Sequence, residues 1–199
     1  RLCYTDPTVY AEFCNSFTRD PITNQVTFLN KRPVNAAKEE VSGIDYAFTY
    51  NTEIGGLDTS FGLRATNLLK HENQANPAAE VEVLRGKITA DRGSFAKWRT
   101  NMSAKVYTEK WSAGWSVRMI GEADDENGGG PIASSVDNIF YHDLNFNYFV
   151  SDSLKLSLGV DNAFDEKAPY ITSWNDANTD VFTYDLLGQR WYMRASYEF

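Results

Sequence analysis

The residues of this sequence that are most able to do chemistry do not form a catalytic set. His142 stands next to Asp143, a pair suited to general acid–base catalysis. No serine or cysteine can be assigned to the pair as a nucleophile, so it is interpreted as structural. The run Gly128–Gly130 lacks the strand–helix context of a phosphate-binding loop, and its acidic flanks predict a flexible loop. We therefore predict no enzymatic activity.

A second group of residues has the oxygen ligands of a metal site. Asp176, Asn178 and Asp180 alternate as the first ligands of a calcium loop do. Val181 and Leu187, however, occupy the positions at which such a loop needs glycine and a bidentate glutamate. A solvated turn is the favoured interpretation, and we predict neither a metal site nor a cofactor.

The two cysteines, Cys3 and Cys14, lie in a stretch that is rich in serine, threonine and proline. Their proximity predicts a disulfide formed outside the cytoplasm, with two free thiols as the alternative. A shared metal site is less favoured, because the two histidines, His71 and His142, are distant from them in sequence.

Composition narrows the class of protein. Hydrophobic residues make up 42% and aromatic residues 14% of the chain, which favours strands over disorder. The net charge of -8 argues against nucleic-acid binding, which needs a basic surface. No run approaches the roughly 18 consecutive apolar residues of a membrane-spanning helix. The mean hydropathy of -0.45 still permits a membrane barrel, because half of each barrel strand faces a polar interior.

Seven segments alternate between apolar and polar residues, which is the pattern of strands with two different faces. They are Glu40–Asn51, Leu57–Thr66, Trp98–Glu109, Trp111–Glu122, Tyr141–Val150, Leu154–Asp161 and Arg190–Phe199. The apolar sides carry no charge, whereas the polar sides include Asp45, Arg64, Arg99, Lys105, Arg118, Asp143, Arg190 and Arg194. A membrane would enforce this separation, since Arg or Lys facing lipid costs about 2–4 kcal/mol at mid-membrane. A soluble β-sandwich would separate its faces as well.

The connections between the segments favour the membrane alternative. Short ones (Thr52–Gly56, Lys110 and Ser151–Ser153) alternate strictly with long polar ones (Asn67–Lys97, Ala123–Phe140 and Asn162–Gln189). Tight periplasmic turns and large extracellular loops are typical of an all-β, antiparallel up-and-down transmembrane barrel. Aromatic residues near the short turns predict an interfacial girdle of Tyr50, Trp111, Trp115, Tyr148, Tyr197 and Phe199.

This arrangement places residues 1–38 in an extracellular loop that contains both cysteines. Within that loop, Gln25–Leu29 is interpreted as a short strand, and an eighth barrel strand is the less favoured alternative. Seven strands cannot close a barrel, and an open sheet edge is not tolerated in lipid. We therefore expect the barrel to be completed by polypeptide outside this chain.

The C-terminal part of the sequence resembles the barrel of TonB-dependent outer-membrane receptors. The similarity is most specific in Leu158–Asp165 (LGVDNAFD), in Tyr184–Arg190 (YDLLGQR) and in the terminal strand. Weaker matches upstream are Cys14 followed by Arg19–Pro21, the glycine-led Gly43–Asp45, and Trp98–Arg99 at the start of a strand. Tyr197 and Phe199 also resemble the signal that is read by the machinery that assembles outer-membrane barrels.

The resemblance implies a barrel of about 22 strands around an N-terminal plug, with residues 39–199 as its C-terminal strands. It implies outer-membrane lipid around the barrel, a C-terminus in the periplasm, and energy supplied by the TonB complex. The plug and the TonB-binding box are not in this sequence. We expect them in the N-terminal remainder of the same receptor, either as a companion chain left by cleavage in an extracellular loop or because this sequence is a fragment of the receptor.

A small nutrient ligand is expected to contact the extracellular loops. The candidates are Tyr170, Trp174, Asn175 and Asp176 in the last long loop, because an aromatic ring beside amide and carboxylate groups suits a sugar face or the polar edge of a chelate. An iron chelate, an oligosaccharide and a vitamin all remain open as ligands. Alternatives to an active-transport receptor are a passive porin, a membrane-embedded enzyme and a secreted β-sandwich binding or adhesion domain.

Overall fold

The computed structural model describes residues 11–31, 37–76, 79–90, 92–125, 135–174 and 176–199. The chain divides into two compact units, Arg1–Glu39 with Asn73–Glu82, and Glu40–Glu72 with Val83–Phe199. The first unit contains one helical turn, α1 (Ala11–Cys14), and a two-stranded antiparallel sheet. Among the described residues, no helix has the length and hydropathy needed to cross a membrane.

The strands account for most of the regular structure. In chain order they are β1 (Phe17–Arg19), β2 (Val26–Leu29), β3 (Lys38–Ile54), β4 (Leu57–Gln74), β5 (Glu82–Val83), β6 (Lys87–Thr89), β7 (Gly93–Ser94), β8 (Trp98–Tyr107), β9 (Trp111–Ile120), β10 (Ala123–Asp125), β11 (Ser135–Val136), β12 (Ile139–Ser151), β13 (Leu154–Asp161) and β14 (Arg190–Tyr197).

Seven long strands form an antiparallel meander in the order β14-β13-β12-β9-β8-β4-β3. Each strand pairs with the neighbour expected for an up-and-down sheet, which confirms the predicted all-β antiparallel architecture. The bounds of β13 coincide with the predicted segment Leu154–Asp161. Closure into a barrel stays a prediction.

Three tight turns join the strands at one end of the sheet. Gly55 and Gly56 connect β3 to β4 with φ values of 61° and 79°, the left-handed pair that a two-residue hairpin turn of type I′ requires. Residues 108–110 connect β8 to β9, where the amide of Trp111 donates to Oγ1 of Thr108 at 2.9 Å. Residues 152–153 connect β12 to β13, and the amide of Leu154 donates to Oγ of Ser151 at 3.1 Å. The predicted alternation of short and long connections is therefore present.

Strand β4 is longer than predicted and continues from Thr66 to Gln74. The extension has hydrogen-bond partners in the following loop, where the side-chain Nε of Arg85 donates to the carbonyl of Leu68 at 2.6 Å. The amide of Leu84 donates to the carbonyl of His71 at 2.8 Å. The sequence pattern missed this part because it contains too few apolar residues to alternate.

The long connections are not merely polar loops. They contribute a four-stranded sheet in the order β11-β10-β6-β7, in which β10 and β6 are parallel. They also enclose the main hydrophobic core of the described residues, which we call the loop core. It is formed by Ile88, Ala96, Ile120, Ala123, Val136, Tyr141, Ile171, Trp174 and Tyr184. The loops are therefore packed structures whose side chains come from all three long connections.

Strand β2 is not part of the long sheet, since it pairs with β1 in a sheet of its own. This agrees with the interpretation of Gln25–Leu29 as a short strand of the first segment. The placement of residues 1–38 on the extracellular side stays a prediction.

Candidate functional site

The apolar side chains of the long sheet lie on one face, as the strand register shows. One row across six strands consists of Phe61, Ala104, Trp115, Leu144, Val160 and Trp191. The next row consists of Val106, Ala113, Phe146, Leu158 and Met193. Residues opposite each other on neighbouring strands point to the same side of a sheet. We call this side the apolar face.

The apolar face is largely uncovered within the described residues. Many of its large side chains are exposed, from 38% for Phe61 to 84% for Met193, whereas Val117 and Val160 are only 5% exposed. The exposed ones also include Tyr46, Phe48, Tyr50, Met102, Trp115, Leu144, Phe146, Leu156, Leu158 and Trp191. A patch of this size is far beyond the scattered apolar residues that an ordinary soluble surface carries. The face therefore needs an apolar environment.

His142 lies on the apolar face. His142 pairs with Val117 across β9 and β12, and its ring stacks on Trp115 at 5.8 Å between centroids. Nε1 of Trp115 donates to Nδ1 of His142 at 3.2 Å, and Phe164 meets the histidine ring edge-on at 4.8 Å. Asp143 is the next residue on the strand, so its side chain points to the other face. His142 and Asp143 therefore cannot act as an acid–base pair.

The opposite side, which we call the polar face, is held by side-chain hydrogen bonds. Nδ2 of Asn147 donates to Oγ of Ser112 at 3.1 Å, and Oγ of Ser157 donates to Oδ1 of Asn147 at 2.7 Å. Next to these residues, a Cβ on Gly159 would overlap the ring of Tyr192, so a larger residue at position 159 would displace that ring. The polar face is therefore ordered by specific polar contacts.

The sequence motif after β13 forms a tight corner around Asn162. This residue is 1% exposed and has a left-handed φ of 50°. Its Oδ1 accepts a hydrogen bond from the amide of Glu166 at 2.8 Å, and its Nδ2 donates to the carbonyl of Glu166 at 2.9 Å. Its own amide donates to Oδ1 of Asp143 at 2.8 Å. One buried amide side chain therefore fixes the path of the chain where it leaves the sheet.

The second motif, before β14, binds to this corner. The amide of Gln189 donates to Oδ1 of Asp165 at 3.1 Å, and Nε2 of Gln189 donates to the carbonyl of Ala163 at 2.7 Å. Gly188 has a φ of 69° and leaves room for the Asp165 carboxylate, since a Cβ there would lie 2.6 Å from Oδ1. Hydrogen bonds from Lys167 and from the amide of Gln189 lower the pKa of Asp165.

Ion pairs link the end of this motif to the sheet. Arg190 lies 3.3 Å from Asp185 and 3.6 Å from Asp161, and the amide of Asp185 donates to the hydroxyl of Tyr141 at 3.0 Å. The two segments that carry the family resemblance, Leu158–Asp165 and Tyr184–Arg190, are thus brought together by the fold.

The predicted ligand-binding residues have different environments. Tyr170 is 52% exposed and Asp176 is exposed, so both are accessible. Trp174 is buried in the loop core, where it meets Phe182 edge-on at 5.8 Å, and its Nε1 has no partner among the described residues. Asn175 lies outside the described residues. The assignment of these four residues to a ligand site stays a prediction.

Sequence reasoning missed Asp180 as the main polar residue of the loop core. It is fully buried, with Oδ2 accepting from Oγ of Ser94 at 2.8 Å and Oδ1 accepting from the amide of Phe182 at 3.0 Å. Nearby, burial raises the pKa of the Tyr184 hydroxyl. Asp180 therefore joins β7 to the last loop, and the alternation of Asp176, Asn178 and Asp180 reflects a turn with one buried member.

Several other predicted sites lie only partly within the described residues. Cys14 ends α1, whereas Cys3 and the glycine run Gly128–Gly130 lie outside the described residues. In the part of the chain that is described, no group of three or more His, Cys, Asp or Glu side chains is placed to hold a metal ion. Tyr197 pairs with Leu154 across the edge of the sheet, and its ring lies 6.3 Å from that of the exposed Phe199.

Comparison with known proteins finds no matching family model and no matching curated protein. Among solved structures, the chain is similar to a mutant of the ferric enterobactin receptor (PfeA) from Pseudomonas aeruginosa. The sequence identity is 13% and the TM-score is 0.43. The match covers 79% of this chain and 31% of that one, so the chain spans about a third of that receptor's length.

Proposed function

We propose that this chain supplies C-terminal strands of a TonB-dependent outer-membrane receptor, which binds a nutrient on the extracellular side and imports it into the periplasm. The observation that carries the proposal is the apolar face, whose two rows between β4 and β14 contain no charged residue and include exposed Trp, Phe and Leu side chains. Lipid is the environment that favours such a face on a β-sheet.

The position of the loop core argues against a soluble sandwich. A sandwich packs its second layer on the apolar side of the sheet. Here the loop core includes Ile120 and Tyr141, whose positions on β9 and β12 alternate with the apolar residues and so belong to the polar face. The packed layer and the uncovered apolar residues are thus on opposite sides, as in a barrel whose loops fold over its interior.

The two ends of the sheet support the proposed orientation. Turns of two or three residues lie at one end, and the long connections with their core lie at the other. This is the asymmetry of outer-membrane barrels, with periplasmic turns and extracellular loops. In this orientation β14 delivers the C-terminus to the periplasm and Tyr197 and Phe199 form the assembly signal.

The corner between β13 and β14 supports the family assignment within the barrel class. The motifs Leu158–Asp165 and Tyr184–Arg190 gave the resemblance, and their residues bond directly to each other. Within this proposal the plug, the other strands and the TonB-binding box belong to the remainder of the receptor. A Cys3–Cys14 disulfide stabilises the extracellular segment, and Tyr170, Trp174, Asn175 and Asp176 contribute to a ligand site.

Quenching by lipid tests the membrane assignment. Two variants are prepared, one that retains only Trp115 and one that retains only Trp174, with phenylalanine at the other tryptophan positions. Each is folded in vesicles whose acyl chains carry bromine atoms. We expect quenching of Trp115, which lies on the apolar face, and little quenching of Trp174, which is buried in the loop core. Equal quenching of the two, or a chain that stays monodisperse and folded in buffer without detergent, would refute the membrane assignment.

Peptide mapping tests the receptor assignment separately. The natural assembly is purified from outer membranes, and all peptides that co-purify with this chain are sequenced. A companion segment with a plug domain and a TonB-binding box is the expected result. A complete barrel that lacks both would favour the passive porin.

A further inference from the structure

The imidazole of His142 presents a hydrogen-bond donor on the apolar face. The indole of Trp115 can only donate, so Nδ1 of His142 must accept the hydrogen bond of 3.2 Å that joins the two side chains. A neutral imidazole then carries its hydrogen on Nε2. Within the described part of the chain, no acceptor is bonded to that Nε2. The apolar face therefore contains an N–H group that needs an acceptor from outside.

The position of His142 along β12 determines its depth in the proposed barrel. His142 is two residues from Phe140, the last apolar-face position of β12 beside the long connections, and six residues from Tyr148 near the short turns. At about 3.3 Å per residue these separations are roughly 7 Å and 20 Å along the strand. The apolar band of such a barrel is about 25 Å tall. His142 therefore lies in the outer lipid layer, close to the boundary with the polar headgroups.

A groove of about 430 Å³ opens on the apolar face beside His142. Its lining includes the small side chains of Ala104 and Ala113 and the larger ones of Trp115 and Trp191. These residues belong to the two rows next to that of His142, on the side of the short turns. Because Trp115 both lines the groove and bonds to His142, the N–H donor stands at the groove's outer end.

The groove and the donor together indicate the chemistry of the occupant. A molecule that suits both has an apolar chain with a hydrogen-bond acceptor at its polar end, which describes the acyl ester of a membrane lipid. Water is scarce at this depth, so the donor would otherwise stay unpaired at a cost in free energy. Phe164 meets the imidazole edge-on at 4.8 Å and, with Trp115, holds its ring in place. The donor is therefore oriented before any lipid arrives.

We infer that one lipid molecule of the outer layer binds in this groove, with an ester carbonyl oxygen that accepts a hydrogen bond from Nε2 of His142. We call the groove and His142 the lipid site. It differs from the general contact between a barrel and its membrane, because a particular polar atom retains a particular molecule. The lipid site rests on the proposed function, since the groove must face lipid.

Binding of a defined lipid to the natural assembly tests the lipid site. The assembly that contains this chain is purified from outer membranes, stripped of lipid in a non-ionic detergent and titrated with a diacyl phosphatidylethanolamine, and bound lipid is counted by native mass spectrometry. We expect His142→Phe, which keeps an aromatic ring without the donor, to bind the lipid roughly fivefold more weakly, the effect of one neutral hydrogen bond. The matched control Tyr148→Phe removes a hydroxyl from the same face near the short turns and should leave the affinity within about twofold.

An ether-linked analogue gives a second test, on the unmodified assembly, that does not depend on the folding of a variant. The analogue has the same headgroup and chain length but lacks the carbonyl oxygens. It should bind the unmodified assembly roughly fivefold more weakly than the ester lipid does. The variant His142→Phe should bind the two lipids equally, because it has no donor with which to distinguish them.

Each outcome either supports or overturns the lipid site. Equal binding of the ester and ether lipids to the unmodified assembly would overturn it, as would equal effects of His142→Phe and Tyr148→Phe. A polypeptide that stays on this face and excludes the lipid would overturn it as well. Failure of the membrane assignment is read separately, from the quenching of Trp115 in brominated vesicles. Strong quenching there together with equal binding of the two lipids would refute the lipid site alone.

Discussion

The two faces of the long sheet are built from alternate residues of the same strands, yet they meet different physical demands. The apolar face needs only the absence of charge and a supply of apolar side chains, and it places Phe61, Leu144 and Val160 in one row without hydrogen bonds between their side chains. The polar face is specific at each position. There Asn147 bridges Ser112 and Ser157, and Gly159 makes room for Tyr192.

This difference shows which face tolerates change. Apolar residues can replace one another against lipid, because dispersion and desolvation do not depend on exact geometry. The polar face tolerates less, because a displaced hydrogen bond or a Cβ at a crowded glycine has a cost at that position. For charged substitutions we expect the opposite order, because a charge on the polar face can be hydrated whereas a charge on the apolar face is destabilising.

Introducing one arginine on each face is the strongest test of this comparison, because the two variants should differ most in stability. Leu158→Arg places a charge on the apolar face and should destabilise the folded barrel by about 2–4 kcal/mol in lipid vesicles. Ser116→Arg, on the polar face opposite Ser103 and Asp143, should cost less than about 1 kcal/mol. The free energy of unfolding by urea, measured after reconstitution in lipid vesicles, is compared for both variants. Similar losses for the two variants would show that Leu158 does not face lipid.

Two asparagine substitutions compare the loss of stability at a buried side-chain amide with the loss at a half-buried one on the polar face. Asn162→Ala removes two hydrogen bonds from a buried side chain and leaves alanine with a positive φ, so we expect a loss of about 1–3 kcal/mol. Asn147→Ala removes two bonds from a half-buried position that water can reach, and should cost about 1 kcal/mol. The free energy of unfolding by urea is the measurement. A larger loss of stability in Asn147→Ala than in Asn162→Ala would contradict the conclusion that Asn162 fixes the path of the chain after β13.

The smallest expected effect is the pH dependence of stability that Asp165 confers at the corner around Asn162. The pKa of Asp165 is lowered by Lys167 and by the amide of Gln189, so its carboxylate stabilises the fold above the ordinary value of 3.8. That contribution is lost as the pH falls through the lowered pKa. The melting temperature of Asp165→Asn should therefore lie below that of the parent at pH 7, and the gap should close in acid. Asp152→Asn, in a short turn, is the control. A gap that is independent of pH would argue against the ion pair.

The positions of the strands follow from sequence because alternation is a local property. Each long strand contains its apolar residues at every second position, so β13 was predicted to the residue and the other six within a few residues, apart from the extension of β4. The short turns were recognisable for a similar reason, since Gly55–Gly56 and Asp152–Ser153 have the residue types that tight hairpins need. The same alternation also indicates which residues share the apolar face, because it does not depend on how the strands pair.

The loop core was decided by tertiary structure alone. Ile88, Val136 and Ile171 meet in one core although they come from three connections, and Asp180 bonds to Ser94 across 86 positions of sequence. No periodic pattern marks such residues, because their contacts depend on how the loops fold onto the sheet. The neighbours on the polar face likewise depend on the register, which aligns Arg64 with Asn101 and Arg118 in one row, and Ser157 with Arg194 in another. Sequence alone determined which side chains share a face, and pairing between strands decided which of them are neighbours.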